Sequence, residues 1–248
     1  HASRFIDQYN SVCHYIKYTK CMKKILIGIF AHPDDEAFGP SGTLLLEKQS
    51  GTELHLITLT AGEAGMNPDN HPNLAEVRLG EWHKAGELIG ATSMRHLGYV
   101  DGTLSNLDHL VVTAQIVEIT KEIIAGRNDI EVEFMSIDLN GITGHIDHIV
   151  AGRSACLAFY RLKDQGLPMT RIRLACIPDT HLTGINTDFV FMEPGRTKDE
   201  ISETIDARSH LETIIEIMRC HHTQRSDGEH HIEAHGEKVA INHFITLT

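Results

Sequence analysis

The sequence lacks the features of several protein classes. No apolar run reaches the roughly 18 residues of a membrane-spanning helix, so we expect no membrane span. The five cysteines are scattered and include no C-x-x-C pair, which argues against a disulfide framework and a thiolate zinc site. Such cysteine usage is typical of a reducing compartment, and we expect a cytoplasmic protein. Basic residues are also outnumbered, at 22 against 34 acids, which argues against nucleic-acid partners.

The amino-terminal segment differs from the rest of the chain. Residues 1–21 show neither clean periodicity nor a helix-capping pattern, whereas Met22-Lys23-Lys24 precedes a convincing strand. We interpret residues 1–21 as a leader or an added segment, and 22–248 as a single domain. A signal peptide over residues 22–31 is the alternative, but its apolar core is short and no small-residue cleavage site follows.

Apolar runs and helical spacings alternate along residues 22–248. Strands are expected at 25–30, 53–59, 94–97, 131–137, 171–177, 189–192 and, as a closing edge strand, 239–247. Helices are expected at 41–49, 73–89, 107–125, 146–162 and, after a capping box, from 197 towards 219. The segments 64–73, 178–186 and 226–238 are expected to be specificity loops. This alternation predicts an α/β protein, a Rossmann-like three-layer α/β/α sandwich with a mostly parallel sheet.

The segment His32-Pro33-Asp34-Asp35-Glu36 directly follows the first predicted strand. In open α/β sheets, ligands bind at the carboxyl ends of the strands. Adjacent carboxylates repel one another and need a cation or a proton to lie together. We therefore interpret this cluster as part of a metal site.

A second cluster, Gly144-His145-Ile146-Asp147-His148, follows the strand predicted at 131–137. Its two histidines are three residues apart, so at a helix start both face one side. Together the two segments can supply His, Asp and His to one ion and leave a position for water, as in catalytic zinc sites. Asp34 would then take a proton from that water, and Asp147 could orient an imidazole.

Each of these residues has a simpler explanation when it is taken alone. An aspartate at a helix start is more often an N-cap or a dipole partner than a catalyst. The chain also holds 18 histidines, so His221-His222 and His230-His231 carry little weight by themselves. The combination of H-x-x-D after one strand with H-x-x-H before a helix is what favours a metal site.

These motifs resemble those of the PIG-L/LmbE-like family of zinc-dependent N-acetylglucosaminyl deacetylases. Residues 31–43 resemble the family signature, and residues 144–148 resemble its second motif. Supporting matches are Thr60-Ala61-Gly62-Glu63, the helix pattern with Arg78, Glu81 and Ala85, Asp101-Gly102, and His221-His222-Thr223-Gln224. The likeness extends over nearly all of the chain after residue 24.

The resemblance implies a metal-dependent enzyme. His32, Asp35 and His148 resemble the metal ligands, and the expected cofactor is Zn²⁺, although such a ligand set also accepts Fe²⁺. The implied reaction removes the N-acetyl group from an N-acetylglucosamine-containing sugar or glycoconjugate by means of metal-activated water. A small-molecule sugar is then the expected partner, and homo-oligomerisation is left open.

The resemblance also implies catalytic roles. Asp34 resembles the general base, and His145, with Asp147 behind it, resembles the residue that stabilises the oxyanion and protonates the leaving amine. Arg78 resembles an arginine that contacts substrate hydroxyls. Thr143 stands where some relatives carry a tyrosine that holds the oxyanion, and the loss of one such donor can cost about a hundredfold in rate.

Two alternatives to a sugar deacetylase stay open. One is an amidohydrolase that acts on another N-acylated small molecule. The other is a non-catalytic ligand-binding relative that keeps the metal pocket. The presence of Asp34 argues against the second, because loss of the base is the simplest route to inactivity.

Overall fold

The computed structural model describes residues 22–181 and 194–248, and these form one mixed seven-stranded sheet. The strands are β1 (Lys23–Phe30), β2 (Glu53–Thr60), β3 (Ser93–Tyr99), β4 (Ile130–Ile137), β5 (Met169–Cys176), β6 (Glu203–Asp206) and β7 (Ile241–Leu247). Their order is β3-β2-β1-β4-β5-β7-β6. Strands β1 to β5 are parallel, whereas β7 is antiparallel to both β5 and β6. The predicted mostly parallel α/β sandwich is therefore confirmed.

Helices cover both faces of this sheet. They are α1 (Asp35–Phe38), α2 (Ser41–Gln49), α3 (Leu74–Ile89), α4 (His109–Ile124), α5 (Gly141–Gly144), α6 (Ile146–Asp164), α7 (Leu211–Cys220) and α8 (Arg225–His235). Helices α4 and α6 supply the core on one face, and α2, α3 and α7 supply the core on the other. Short 3₁₀ turns occupy Asp179–His181, Arg208–His210, His222–Gln224 and Gly236–Ala240.

Strand β1 explains why the sheet is covered on both sides. Ile25, Ile27 and Ile29 pack into the core with α4 and α6, whereas Leu26 and Phe30 pack into the opposite core. Successive side chains of a strand point to opposite faces, so an apolar run of this length requires a helix layer on each side. The sequence pattern thus fixes β1 in the middle of the three layers.

The strand order places a topological switch point between β1 and β4. From β1 the chain proceeds outward through β2 and β3, and it then returns to add β4 on the other side of β1. Crevices at such points, at the carboxyl ends of the strands, are where open α/β sheets bind ligands. The two predicted motifs follow β1 and β4, so the fold brings them to one crevice.

The long helix predicted at 197–219 is wrong. Thr197 and Glu200 do form the expected cap contact, with the threonine N–H and Oγ1 each 2.8 Å from the carboxylate. The chain then forms β6, which pairs with β7, and the helix begins only at Leu211. Strand pairing supplies Glu203–Asp206 with backbone partners that outweigh the local helix signal.

Two further expectations differ from the structure. Strand β7 is not an edge strand, because β6 lies beyond it. The expected loop 226–238 contains α8, which buries only Gly228 and so lacks an apolar stripe that would reveal it. Residues 1–21, the strand predicted at 189–192 and residues 182–186 of the predicted loop 178–186 lie outside the described residues.

None of the helices within residues 22–181 and 194–248 has both the length and the apolar character that a membrane crossing requires.

Candidate active site

The first motif lies at the carboxyl end of β1. His32 follows the strand after one residue, and Asp35 begins α1. The Asp35 carboxylate turns back onto the chain, where its Oδ2 accepts hydrogen bonds from the N–H groups of Ala31 at 3.0 Å and His32 at 2.9 Å. This local loop fixes both predicted ligands relative to the strand.

The second motif lies at the carboxyl end of the adjacent strand β4. His145 is the N-cap of α6, and its Nδ1 accepts a hydrogen bond from the N–H of Asp147 at 3.2 Å. His148 lies in the first turn of the same helix, and its ring centroid is 5.1 Å from that of His145. The predicted placement of both rings on one side of a helix start therefore agrees with the structure.

The three predicted metal ligands meet between these two loops. His32 Nδ1 lies 3.0 Å from His148 Nε2, which in turn lies 3.2 Å from Asp35 Oδ1. The remaining pair, His32 Nδ1 and Asp35 Oδ2, is 3.8 Å apart. Residues separated by more than a hundred positions in the sequence thus bring their donor atoms together.

In His32 and His148, the ring nitrogen that points away from the other ring has an oxygen partner. His148 Nδ1 donates to the Gly141 carbonyl at 3.1 Å. His32 Nε2 faces Asp101 Oδ1 at 2.9 Å and Asp147 Oδ2 at 3.3 Å. Because these partners accept hydrogen bonds, His32 Nε2 and His148 Nδ1 both carry protons. In the neutral rings, the lone pairs of His32 Nδ1 and His148 Nε2 then face each other. Such a pair of nitrogens needs a cation or a proton between them.

The donor set fits a divalent metal ion. Two ligands at zinc–nitrogen distances of 2.0–2.1 Å in a tetrahedral arrangement lie about 3.3 Å apart, close to the two shortest separations found here. Other triads overlap this one: His32 with His145 and His148, and His32 with Asp101 and Asp147, each place one donor atom per residue within 4.8 Å. The crevice therefore has His/Asp groups able to hold a metal.

The carboxylates around His32 favour a positive charge at this point. Burial lowers the pKa of His32, but hydrogen bonds to Asp101 and Asp147 outweigh it and raise the pKa to about 10. Burial raises the pKa of Asp35, but His148 and His32 hold it well below its usual range. Grouped carboxylates of this kind stabilise a cation or a proton between them.

Asp34 lies beside the triad in a strained backbone conformation. Its φ of 121° is a left-handed value that a non-glycine residue rarely adopts. Arg78 donates to Asp34 Oδ2 at 2.8 Å and to the Pro33 carbonyl at 2.7 Å. Burial raises the pKa of Asp34 to about 6, an effect that Arg78 opposes and the neighbouring Asp35 reinforces. A carboxylate with this pKa can both accept and release a proton near neutral pH.

Arg78 is the predicted substrate-binding residue, and the structure places it under Asp34. Its side chain is buried, and it also donates to the Gly62 carbonyl. Its Nε is buried with no hydrogen-bond partner among the described residues. Most of its donors are thus engaged by the protein, in contacts that fix the position of Asp34.

His145 presents one ring edge to the same crevice. Its ring centroid lies 4.8 Å from that of His32. Burial and the neighbouring His148 and His32 lower its pKa, so the ring is neutral at pH 7. Because Nδ1 accepts from the Asp147 N–H, the neutral ring carries its proton on Nε2 and can donate a hydrogen bond.

The expectation that Asp147 supports His145 differs from the structure. The Asp147 carboxylate is fully buried and contacts His32, and it accepts from the Gly102 N–H at 2.8 Å. Residues two apart in a helix do not face each other, so the Asp147 side chain points away from the His145 ring. The carboxylate behind an imidazole is therefore present, but the imidazole is that of His32.

Two features of the site were missed by the sequence reasoning. Asp101, 69 positions from His32, was noted only as part of a supporting motif. Glu36 and His221 form a buried pair, with Glu36 Oε1 3.0 Å from His221 Nε2, while Glu36 Oε2 accepts from the Asp34 N–H at 3.2 Å. The one available signal was the His221-His222-Thr223-Gln224 match, which marked the segment without identifying its partner.

A cavity of about 270 Å³ adjoins the candidate metal ligands Asp35 and His148. Asp35, His148 and Thr143 line it near the triad. Its walls are mainly apolar, and include Phe30, Phe38, Ile137, Ile142, Ile177 and Pro178. The crevice thus combines a polar reaction centre with room for a small organic molecule.

Comparison with known proteins identifies the family. The model of the PIG-L family, described as GlcNAc-PI de-N-acetylase, matches residues 27–160, more than half of the chain. The chain belongs to the PIG-L family. The predicted family and the predicted hydrolytic N-deacetylase are therefore confirmed. PIG-L deacetylases are metal-dependent, in agreement with the His/Asp groups in the crevice.

Relatives and solved structures agree with this assignment. The 1D-myo-inositol 2-acetamido-2-deoxy-alpha-D-glucopyranoside deacetylase of Acidothermus cellulolyticus is 28% identical, covering 82% of this chain and 80% of the relative. The N,N'-diacetylchitobiose deacetylase of Pyrococcus horikoshii has a similar structure, with a TM-score of 0.66 and 18% identity over 98% of this chain and 92% of that chain.

A third similar protein catalyses a different reaction. The 4-carboxy-2-hydroxymuconate hydratase GalB of Pseudomonas putida has a TM-score of 0.67 and 15% identity, covering 92% of this chain and 97% of that chain. At such identities the likeness shows the fold alone. The activity must therefore be argued from the side chains in the crevice.

Proposed function

We propose that this PIG-L chain hydrolyses the N-acetyl amide of an N-acetylglucosamine-containing small molecule to give acetate and a free amine. The observation that carries the proposal is the convergence of His32, Asp35 and His148 beside a second carboxylate, Asp34, that is not part of the triad. Amide hydrolysis needs a Lewis acid, a base for water and a donor for the oxyanion. The crevice offers candidates for all three.

His32, Asp35 and His148 would hold the ion, which we propose to be Zn²⁺. A bound zinc ion polarises the amide carbonyl and lowers the pKa of water. Asp101 and Asp147 hold Nε2 of His32, and the Gly141 carbonyl holds Nδ1 of His148. These contacts orient both rings, which is how neighbouring groups strengthen metal ligands.

Asp34 is the proposed general base. In its ionised form the carboxylate removes a proton from the attacking water as the oxygen–carbon bond forms. Arg78 fixes the carboxylate from behind, and the Glu36 side chain fixes the Asp34 N–H. This positioning supports the base role, because proton transfer requires the acceptor within hydrogen-bond reach of the water.

His145 is the proposed hydrogen-bond donor to the oxyanion, and Asp34 is the proposed proton donor to the leaving amine. Its Nε2 proton can stabilise the negative charge that develops on the carbonyl oxygen. As the carbon–nitrogen bond breaks, the amine nitrogen takes up the proton that Asp34 removed from the water, because a neutral His145 that gave up its Nε2 proton would become an imidazolate. Thr143 lines the cavity near this point, but a hydroxyl on so short a side chain is a weaker substitute for the tyrosine of some relatives.

The substrate class follows from the relatives and from the cavity. The curated relatives are named as deacetylases of a glucosamine derivative joined to inositol, and the Pyrococcus protein is named for a diacetylated disaccharide. The cavity of about 270 Å³ offers space for a sugar or for the group attached to it. We propose a small N-acetylated glucoside, with Arg78 acting mainly through Asp34 rather than on substrate hydroxyls.

The proposal is tested by measuring both products. The metal-stripped protein, reloaded with Zn²⁺, is incubated with N-acetylglucosamine, N,N'-diacetylchitobiose and an N-acetylglucosaminyl inositol. We expect acetate and primary amine in equal amounts from at least one substrate, and none from the metal-stripped protein. The exposed variant Asp164→Asn, at the end of α6, should retain full activity.

Other outcomes would distinguish the alternatives. Turnover of N-acylated amines that contain no sugar, with none of the three sugars cleaved, would favour an amidohydrolase of different specificity. Zinc binding without turnover of any amide would favour a ligand-binding protein. Equal product formation with and without metal would contradict the proposed chemistry.

A further inference from the structure

Four histidines lie together in the cavity apart from the predicted ligands. His181, His231, His235 and His243 all line it, from the turn after β5, from α8 and from β7. The ring centroids of His231 and His235 are 4.7 Å apart, and His181 lies 5.7 Å from both His235 and His243. None of the four has a part in the proposed deacetylation.

Two of these rings have a spacing that suits metal ions. His231 and His235 are four residues apart on α8, so they project from one face of the helix. Two histidines at this spacing on a helix form one half of many zinc sites. His181, from a different element, lies close enough to His235 to supply a third ring.

The four rings are also in the form that binds metals. Burial lowers the pKa of His231 to about 4, and His235 reinforces this effect. Burial likewise lowers the pKa of His181, His235 and His243, with Lys238 and the neighbouring histidines adding to it. Neutral imidazoles offer free lone pairs at pH 7, as metal ligation requires.

His243 contributes an independent observation. Its Nδ1 lies 3.0 Å from the Thr204 hydroxyl, whereas its Nε2 is buried with no hydrogen-bond partner among the described residues. A buried polar atom without a partner is unfavourable, and a ligand that pairs with it removes this cost. The ring also faces His181, so this nitrogen belongs to the cluster.

We propose that His231 and His235, together with His181 and His243, form a second binding site for a divalent transition-metal ion such as Zn²⁺. Imidazole rings that share one tetrahedral zinc ion have centroids about 5 Å apart. The centroid distances are 4.7 Å for His231–His235 and 5.7 Å for both His235–His181 and His181–His243, so the four rings form a chain of neighbours. Among the described residues, no three nitrogens of this cluster lie within 4.8 Å of one another as those of the first site do, so binding requires the rings to turn about their side-chain bonds.

A metal ion fits this cluster better than an anion does. An anion such as phosphate would need imidazolium donors, and burial and mutual repulsion disfavour protonation of these rings. Lys238 lines the cavity and would attract an anion, but it is exposed and its charge is screened by solvent. The neutral imidazole rings can bind a cation without any change in their own protonation.

The site is tested by counting bound zinc on the full chain. The metal-stripped protein is dialysed to equilibrium against Zn²⁺, and metal and protein are measured in the same sample. Replacing His231 and His235 together by alanine should reduce the number bound by one per chain. The variant His230→Ala, an exposed neighbour on the same helix, should bind as many ions as the wild type.

Further variants separate this site from the first and guard against misfolding. The His32→Ala protein should lose the first ion and keep the second, so the two proposals fail independently. A double replacement of His231 and His235 by glutamine, checked by circular dichroism, should repeat the loss seen with alanine. Unchanged zinc stoichiometry in folded double variants would overturn the proposal. Inorganic phosphate binding that depends on His231 and His235, with no zinc lost in the variants, would also overturn it.

Discussion

Asp101 provides a direct test of how the crevice holds a metal. Its Oδ1 lies 2.9 Å from Nε2 of the proposed ligand His32, and the same carboxylate accepts from the Ala64 N–H at 3.0 Å. Replacing Asp101 by alanine removes one of the two acceptors that orient the ring. Loss of such a partner typically weakens metal affinity by about 10- to 100-fold.

The structure points to the lower end of that range. Asp147 Oδ2 remains 3.3 Å from the same His32 nitrogen, so the ring keeps one acceptor. We therefore expect the zinc Kd of the Asp101→Ala protein to rise about tenfold, equivalent to about 1.4 kcal/mol. An asparagine at this position keeps a carbonyl oxygen that can accept, so Asp101→Asn should lose less than the alanine variant.

The zinc Kd is measured by letting the protein compete for zinc with a chromophoric chelator. This competition gives the affinity of the tighter zinc site. Glu122→Ala is the matched control, because that carboxylate lies on the surface in an ion pair with Arg95. Thermal unfolding of the metal-stripped proteins checks that the loop holding Ala64 has not collapsed. An unchanged Kd in a folded Asp101→Ala protein would refute the argument that this carboxylate supports a metal ligand.

Three further predictions concern the base, the core and a close contact. Because Asp34 must be ionised to accept a proton and its pKa is raised to about 6, kcat/KM should fall as pH drops through a midpoint at or below 6; a bound cation favours the ionised form and moves the midpoint downward. Glu133→Ala should lower the free energy of unfolding by up to about 3 kcal/mol, measured in a denaturant titration, because it removes one of the two carboxylates that pair with the buried Arg173 and leaves Glu47 as the other. Gly62→Ala should lower kcat by up to about a hundredfold, because a Cβ there meets the Arg78 guanidinium that holds Asp34.

The two substitutions, Gly62→Ala and Glu133→Ala, each have a matched control. Gly51 shares a left-handed φ with Gly62 but has open space around it, so Gly51→Ala should leave kcat unchanged. Glu118→Ala removes an exposed ion pair with Lys121 and should change stability by less than about 1 kcal/mol. A flat acid limb down to pH 4, or equal stability losses at positions 118 and 133, would contradict the corresponding reasoning.

The convergence of the two motifs could be predicted from the sequence because each motif is local. His32 and Asp35 lie on one turn after β1, and His145 and His148 lie on one turn of α6. A parallel sheet then brings the ends of β1 and β4 together without further information. Asp101 and the Glu36–His221 pair could not be predicted in this way, because only the folded chain brings them into contact.

The errors in the fold have a shared physical cause. A true capping contact at Thr197 was extended into a helix, although the following residues pair as β6 with β7. The helix α8 was missed because it is polar and only Gly228 is buried. In both cases the local pattern does not carry the information, because strand pairing overrides the cap at Thr197 and α8 has no apolar stripe that would reveal it.

The most direct test of the account compares Asp34→Asn with the wild type at equal zinc content. Acetate release and bound zinc are measured on the same samples, with the substrate that the wild type cleaves best. We predict that the variant retains its zinc and its fold and loses acetate release by at least about a hundredfold. Acetate release at the wild-type rate from a zinc-loaded Asp34→Asn protein would contradict the assignment of Asp34 as the base.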